Sequence, residues 1–268
     1  MRASRLAVIA RVPLPPHYVR WNRRWGAPSG RALARRLVPR RWRTWRWFAR
    51  ACGPFAFQGN NTTREFEYPW AFEQVDPRPG LRVLEIGGGY SGLQFVLARH
   101  GCDVVNVDPG TASWPLDPAR FDALNRAFGT RVQLRRCTLA QAGLPAASFD
   151  RVLSVSVLEH LGDDEAAEVL DETRRVLRPG GRCVLTIDLF LDVEPFARRE
   201  RNAHGRNVSV RALVERSGMR LVHGDPRELV GFADFDPQRI AASLPQFVVG
   251  RRYPVLVQTV VLERPADG

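Results

Sequence analysis

The chain has 268 residues, 44% hydrophobic and 25% charged, a balance that suits a folded domain with a sizeable core and excludes wholesale disorder. Its 40 basic residues outnumber 28 acidic ones, for a net charge of +12, and all 40 are arginine. A chain without lysine carries no P-loop lysine, no Schiff-base lysine and no kinase-type lysine.

In chain order the charge comes first. Residues 1–50 hold 14 arginines, five of the seven tryptophans and no acid, which leaves the remainder close to neutral. Exclusive use of arginine is also what a GC-rich bacterial genome produces, so the charge says less about function than its size suggests. The apolar stretch 6–10 is too short for a signal-peptide core, and no apolar run approaches the length of a membrane span, so a cytoplasmic protein without a transmembrane segment is expected. Four cysteines, 35 to 50 residues apart with no CxxC pair, read as reduced thiols and not as a metal site.

Within this arm Trp42, Trp45, Phe48 and Cys52 fall on one helical face, with Arg41, Arg43, Arg46 and Arg50 mostly elsewhere. Such a face can dock on the protein's own core, lie on an anionic membrane or substrate, or bind RNA through phosphates and stacking. Five prolines between 13 and 39 cut the arm into short pieces and favour docking over one long anchor. Nucleic acid is not the expected partner, since no ordered nucleic-acid-binding module is visible. Residues 51–79 form a connector punctuated by Gly, Asn and Pro. Its Phe66, Tyr68 and Trp70 are expected to pack a helix on the core, with Tyr68 or Arg64 as alternatives for ligand contact.

From residue 81 short apolar runs alternate with helical stretches, the pattern of a parallel sheet with crossover helices. Strands are predicted at 82–86, 103–107, 132–134, 151–155, 182–187, 219–223 and 255–262, and helices at 92–100, 163–177 and 210–217. The last strand has no helix behind it, so it is expected to run antiparallel in a mixed sheet. After the first strand comes Gly87-Gly88-Gly89-Tyr90-Ser91-Gly92, where glycines let a ligand approach the main chain at a helix N-terminus, and Asp108 ends the second strand. A dinucleotide would place its pyrophosphate there, but the acid at Glu85 repels a phosphate and suits a cationic methionine end, which favours S-adenosylmethionine over NAD.

Val-Leu-Glu-Ile-Gly-Gly-Gly-Tyr-Ser-Gly at 83–92, Val-Asn-Val-Asp at 105–108, the run Ser-Phe-Asp-Arg-Val-Leu-Ser-Val-Ser-Val-Leu-Glu-His-Leu at 148–161 and Val-Leu-Arg-Pro-Gly-Gly at 176–181 stand in one order. Through these motifs residues 81–262 resemble the class I S-adenosylmethionine-dependent methyltransferases that act on small molecules. The resemblance implies a Rossmann-like α/β fold: a seven-stranded mixed sheet, last strand antiparallel, helices on both faces, behind a basic N-terminal extension. It divides the chain into an arm (1–50), a connector or lid (51–79) and a cofactor domain (80–263). It implies S-adenosyl-L-methionine as cofactor, with Glu85, Gly87, Gly88 and Gly89 around the methionine part, Asp108 on the ribose hydroxyls and Ser154 beneath the reacting sulfur. Thr138 and Leu139 are implied beside the adenine, where Arg136-Cys137-Thr138-Leu139 departs from the family's usual Asp and Thr138 offers a weaker acceptor.

Methyl transfer to a hydroxyl needs a general base with a pKa near neutrality. His160, just past the fourth strand, and His204, in the polar loop 198–207, are the candidates; His17, His100 and His223 read as structural or exposed, and Asp188 as a substrate contact or a turn cap. The expected function is methyl transfer to a small-molecule acceptor, an O-methylation in natural-product or sugar metabolism, without a metal. The alternatives are an RNA or protein methyltransferase that captures its substrate with the arm, and a non-catalytic cofactor-binding module.

Overall fold

The computed structural model describes residues 8–42, 45–112 and 114–266; Leu6 of the short apolar stretch and Arg43 of the predicted helical face lie outside them. Ahead of the sheet come α1 (Pro16–Trp25), α2 (Ala32–Leu37), α3 (Arg46–Cys52) and α4 (Arg64–Val75). Then follow β1 (Arg82–Ile86), α5 (Gly92–Arg99), β2 (Asp103–Val107), α6 (Pro118–Phe128), β3 (Gln133–Arg135), β4 (Phe149–Val155), α7 (Asp163–Val176) and β5 (Leu177–Phe190). A small hairpin, β6 (Arg201–Asn202) and β7 (Gly205–Arg206), precedes α8 (Val210–Ser217), β8 (Arg220–His223), α9 (Pro237–Ala242) and β9 (Val255–Glu263).

The sheet order is β3-β2-β1-β4-β5-β9-β8, parallel through β5, with β9 antiparallel to both of its neighbours. The expected antiparallel last strand thus lies inside the sheet, and all but the final residue of β9 are buried, which explains its unbroken run of apolar and small polar residues. Two apolar layers flank the sheet. Phe66, Trp70, Phe95 and Phe121 of α4, α5 and α6 fill one, and Leu170, Val176 and Leu213 of α7 and α8 fill the other.

Several elements differ from the sequence-based expectation, among them α9 and the β6–β7 hairpin, and two of them bear on the main sheet. Helix α6 was not anticipated, although Asp117 accepts a hydrogen bond from Ala119 N as its cap, proline opens it and Gly129 closes it in the left-handed region. Strand β5 starts at Leu177 instead of 182, because Leu177 pairs with Phe149 across a register shift and carries the strand through Pro179-Gly180-Gly181.

The N-terminal residues are part of the body. Val8, Ile9 and Ala10 are buried, and Ile9 bridges Gln258 of β9 where β8 no longer covers that edge. Glu228 holds this segment by accepting from Ile9 N at 2.9 Å and pairing with Arg11. Next, α1 packs on α4: the Tyr18 hydroxyl donates to Glu73 at 2.6 Å, and Asn22 donates to Glu65 O at 2.7 Å. The predicted stripe divides. Cys52 is fully buried, but Trp45 and Trp42 precede α3 and are 60% and 37% exposed. No helix among the described residues is long and apolar enough to cross a membrane.

Candidate active site

The loop after β1 is shaped by close approach. Gly87 and Gly89 have φ of +67° and +54°, a region that disfavours side chains. A Cβ on Gly88 would come within 2.8 Å of the Glu85 carboxyl carbon, so the turn lies directly over that acid. Main-chain groups of the loop are pinned from one strand, β2, with the residue after it, and from helix α5. Asp108 accepts from Gly89 N at 2.8 Å and from Gly110 N at 2.7 Å, Asn106 accepts from Gly88 N, and Gln94 donates to Gly89 O. The connector reaches the same turn, where Gln58 accepts from Tyr90 N at 2.9 Å. Neither Gln58 nor Trp114, whose indole nitrogen lies near Gly89, was singled out from sequence.

Glu85 is 1% exposed, and its Oε2 has no hydrogen-bond partner. Burial pushes its carboxyl up to about 8; a hydrogen bond from the Ser91 hydroxyl opposes this, and the charge of Asp108 adds to it. An unpaired buried carboxylate of this kind calls for a cation.

The remaining predicted cofactor residues are placed less directly. Thr138 is exposed, and its hydroxyl accepts from Gln141 N at 3.4 Å, closing a short turn. Leu139 is buried in the core layer that holds α7. Ser154 is buried too, but its hydroxyl makes only a long contact of 3.5 Å to Ile86 O in the neighbouring strand. The hydroxyl that faces the charged groups belongs to Ser156, one residue past β4, whose φ of +50° is uncommon for a residue with a side chain.

Around Ser156 the fold gathers a charged cluster. Its hydroxyl lies 2.8 Å from Asp188 and 3.0 Å from Glu67 and accepts from Arg64 at 2.8 Å. Thr186 donates to Glu67 at 2.6 Å, and Tyr253 donates to Asp188 at 3.2 Å. Arg64 pairs with Glu67 and lies 3.6 Å from Asp188. Burial pushes the Asp188 carboxyl up to about 6 against the opposing charge of Arg64. Glu159 is fully buried with neither oxygen bonded; burial, reinforced by Asp188, lifts it well above the carboxylate range. Arg64 and Asp188 were candidates from sequence. Glu67, Ser156, Glu159 and Tyr253 were not, although Glu159 stands beside His160 and Glu67 one helical turn from Arg64.

The two candidate histidines meet at the rim of this cluster. The His160 ring is hydrogen-bonded to the main chain of His204, and the His204 ring stacks on Tyr253 with centroids 3.9 Å apart. Partial burial lowers the His160 pKa below its ordinary value; the bond to His204 opposes this, and the Arg64 charge adds to it. The β6–β7 hairpin carries His204 close in because Gly205 leaves no Cβ against Glu159 O. The other histidines are structural: His100 bonds Val96 O, His223 bonds Thr259, and His17 lies beside Glu73.

Residues 84–185 match a family described as a methyltransferase domain. The chain is similar to a ubiquinone biosynthesis O-methyltransferase of Hahella chejuensis, 39% identical over 116 residues that make up 42% of this chain and 46% of the relative. The chain spans about half the length of the curated relatives it matches. Among solved structures it is similar to an S-adenosylmethionine-dependent methyltransferase from Mesorhizobium loti (20% identity, TM-score 0.50, covering 74% of this chain and 97% of that one). It is also similar to 1,6-didemethyltoxoflavin-N1-methyltransferase of Burkholderia thailandensis, at 16% identity and a TM-score of 0.54, over 99% of this chain and 98% of that one. At these identities the two structures speak for the fold alone.

Proposed function

We propose that this chain, which carries a methyltransferase domain and a Rossmann-like seven-stranded mixed sheet, transfers a methyl group from S-adenosylmethionine to a hydroxyl of a small-molecule acceptor. The observation that carries this reading is Glu85: a buried carboxyl with an unpaired oxygen under a glycine turn, held protonated by burial when alone, would give up its proton to a cationic methionine end and gains nothing from a pyrophosphate. Oxygen as the methylated atom is supported by the O-methyltransferase relatives. A natural-product or sugar-like acceptor is our extension of that reading.

The residues present fit the cofactor. Glu85 and the Gly87–Gly89 main chain would hold its methionine part and Asp108 its ribose hydroxyls, with Gln58 and Trp114 closing the turn from outside. When bound, the cofactor supplies an activated methyl group on a sulfonium, so the protein's task is alignment and exclusion of water. Thr138, exposed and engaged with Gln141, and Leu139 would flank the adenine, and Ser154, buried in β4, would back the methionine end.

In this mechanism His160 accepts the acceptor's hydroxyl proton. Its lowered pKa keeps the ring neutral at neutral pH, and the hydrogen bond to the His204 main chain occupies one ring nitrogen and leaves the other for the proton. Tyr253, anchored by its hydroxyl to Asp188, supports His204 by stacking and forms an aromatic wall beside the acceptor.

Calorimetric titration with S-adenosylmethionine, with NAD in parallel, tests the cofactor. Binding of the former alone, weakened at least about tenfold in Asp108→Ala, is the expected result; binding of NAD alone would overturn the reading. With an acceptor in hand, His160→Ala should lower kcat by about 10²–10⁴-fold and leave cofactor affinity unchanged. The wild-type rate should fall on the acid side below about pH 6.5, because the base must be unprotonated and its pKa lies under the ordinary histidine value.

A further inference from the structure

The seven large apolar side chains left exposed among the described residues are unevenly spread: Leu33, Leu37, Trp42, Trp45 and Trp47 all lie within one short stretch, and Trp47 is 77% exposed. They surround α3. Trp42 stacks on Trp45 and on Phe48 at 6.0 and 5.9 Å between centroids, so the rings form one apolar surface.

Arginines border this surface on both sides of α3. On one side Arg24, Arg31, Arg50 and Arg99 line a cavity of about 480 Å³ floored by Trp25 and Phe128. Arg24 and Arg99 each lie 5.3 Å from the Trp25 ring, Arg31 donates to the main-chain oxygens of Arg50 and Arg24, and Arg50 donates to Ala127 O. None of these partners is a carboxylate, so the four charges are fixed in place without being neutralised. On the other side Trp45, Arg46 and Arg126 line a second groove of about 560 Å³. No acidic residue precedes Glu65.

We infer that this face docks on an anionic phospholipid surface, with the tryptophans and leucines entering the interfacial region and the Arg24–Arg99 cavity taking a lipid phosphate. Charge complementarity sets the sign of the partner, because guanidinium forks without carboxylates select phosphate. The aliphatic members set its class. An RNA surface stacks bases on rings and gains nothing from Leu33 and Leu37, whereas a bilayer interface takes up aromatic and aliphatic groups together. The arrangement is independent of methyl transfer, since none of these residues belongs to the site described above.

Co-sedimentation of the full chain with phosphatidylcholine vesicles, with and without phosphatidylglycerol, tests the inference. The protein should pellet only with the anionic vesicles and be released by added salt. Two double variants, Trp45→Ser/Trp47→Ser and Arg24→Gln/Arg99→Gln, should each lower partitioning about tenfold. All four side chains are exposed, so thermal unfolding followed by circular dichroism should match the parent. Equal partitioning into neutral vesicles, or full binding in both variants, would overturn the assignment. Retention by RNA without vesicle binding, or stabilisation by inorganic phosphate alone, would overturn it as well and give the face to another anion.

Discussion

Between an unfolded chain and this fold the Glu85 carboxyl climbs from 4.5 to about 8, because burial penalises its charge. The folded protein therefore keeps a proton that the unfolded chain releases. That contribution to stability is fully present below the unfolded value and is lost as pH rises through the folded one, at about 1.4 kcal/mol per unit. Glu85→Gln, neutral at every pH, is expected to melt close to the parent near pH 5 and clearly above it near pH 8, while binding S-adenosylmethionine more weakly. Thermal melts across that range check the first half, and a gap that does not widen with pH refutes it. Glu85 was legible in the sequence as an acid inside an apolar run. Ser156 was not singled out: the family resemblance pointed to Ser154, and only the left-handed turn at Ser156 aims the later hydroxyl at the charged groups.

Helix α4 joins the connector to the catalytic edge through one ion pair and one helical turn. Arg64, 13% exposed, is the single cation paired with Glu67 and Asp188 among the described residues, and these are 0% and 2% exposed. Arg64→Met leaves those carboxylates without a counter-charge and should cost about 3–5 kcal/mol in urea unfolding. The deficit should shrink as pH falls, because the stranded Asp188 carboxyl, already raised by burial, then takes up a proton in the folded state. A deficit independent of pH would show that lost packing and not lost charge dominates. The cluster could not be read from the chain, since apart from Arg64 and Glu67 on one helical turn its hydrogen-bonded members stand 32 to 119 residues apart and meet only once β4 and β5 are paired. By contrast β1, β2 and β9 were readable because each is a short apolar run that the sheet buries on both faces. The signal for α6 was present too, in Phe121, Leu124 and Phe128 between a capping Asp and a closing Gly.

Across the whole molecule the N-terminal segment closes the sheet. Val8 O accepts from both the main chain and the hydroxyl of Thr259, and Ala10 O accepts from Val248 N. Removing residues 1–12 strips these partners from β9 and bares part of an apolar strand edge, so the shortened chain should melt lower and self-associate in size-exclusion chromatography. A monomer of unchanged melting temperature would show that the segment is dispensable. The same contacts set an order of events during synthesis. Val8 and Thr259 are 251 residues apart, so this strand-like segment must wait, without its partner in β9, while the residues between them are made. The segment carries Arg11 and no acid, and like-charge repulsion would help keep it from pairing with copies of itself while it waits. The sheet is thus finished by an earlier-made segment meeting a much later one, and a nascent protein stalled before β9 would hold every glycine of the turn after β1 yet lack the strand that locks β5 in place.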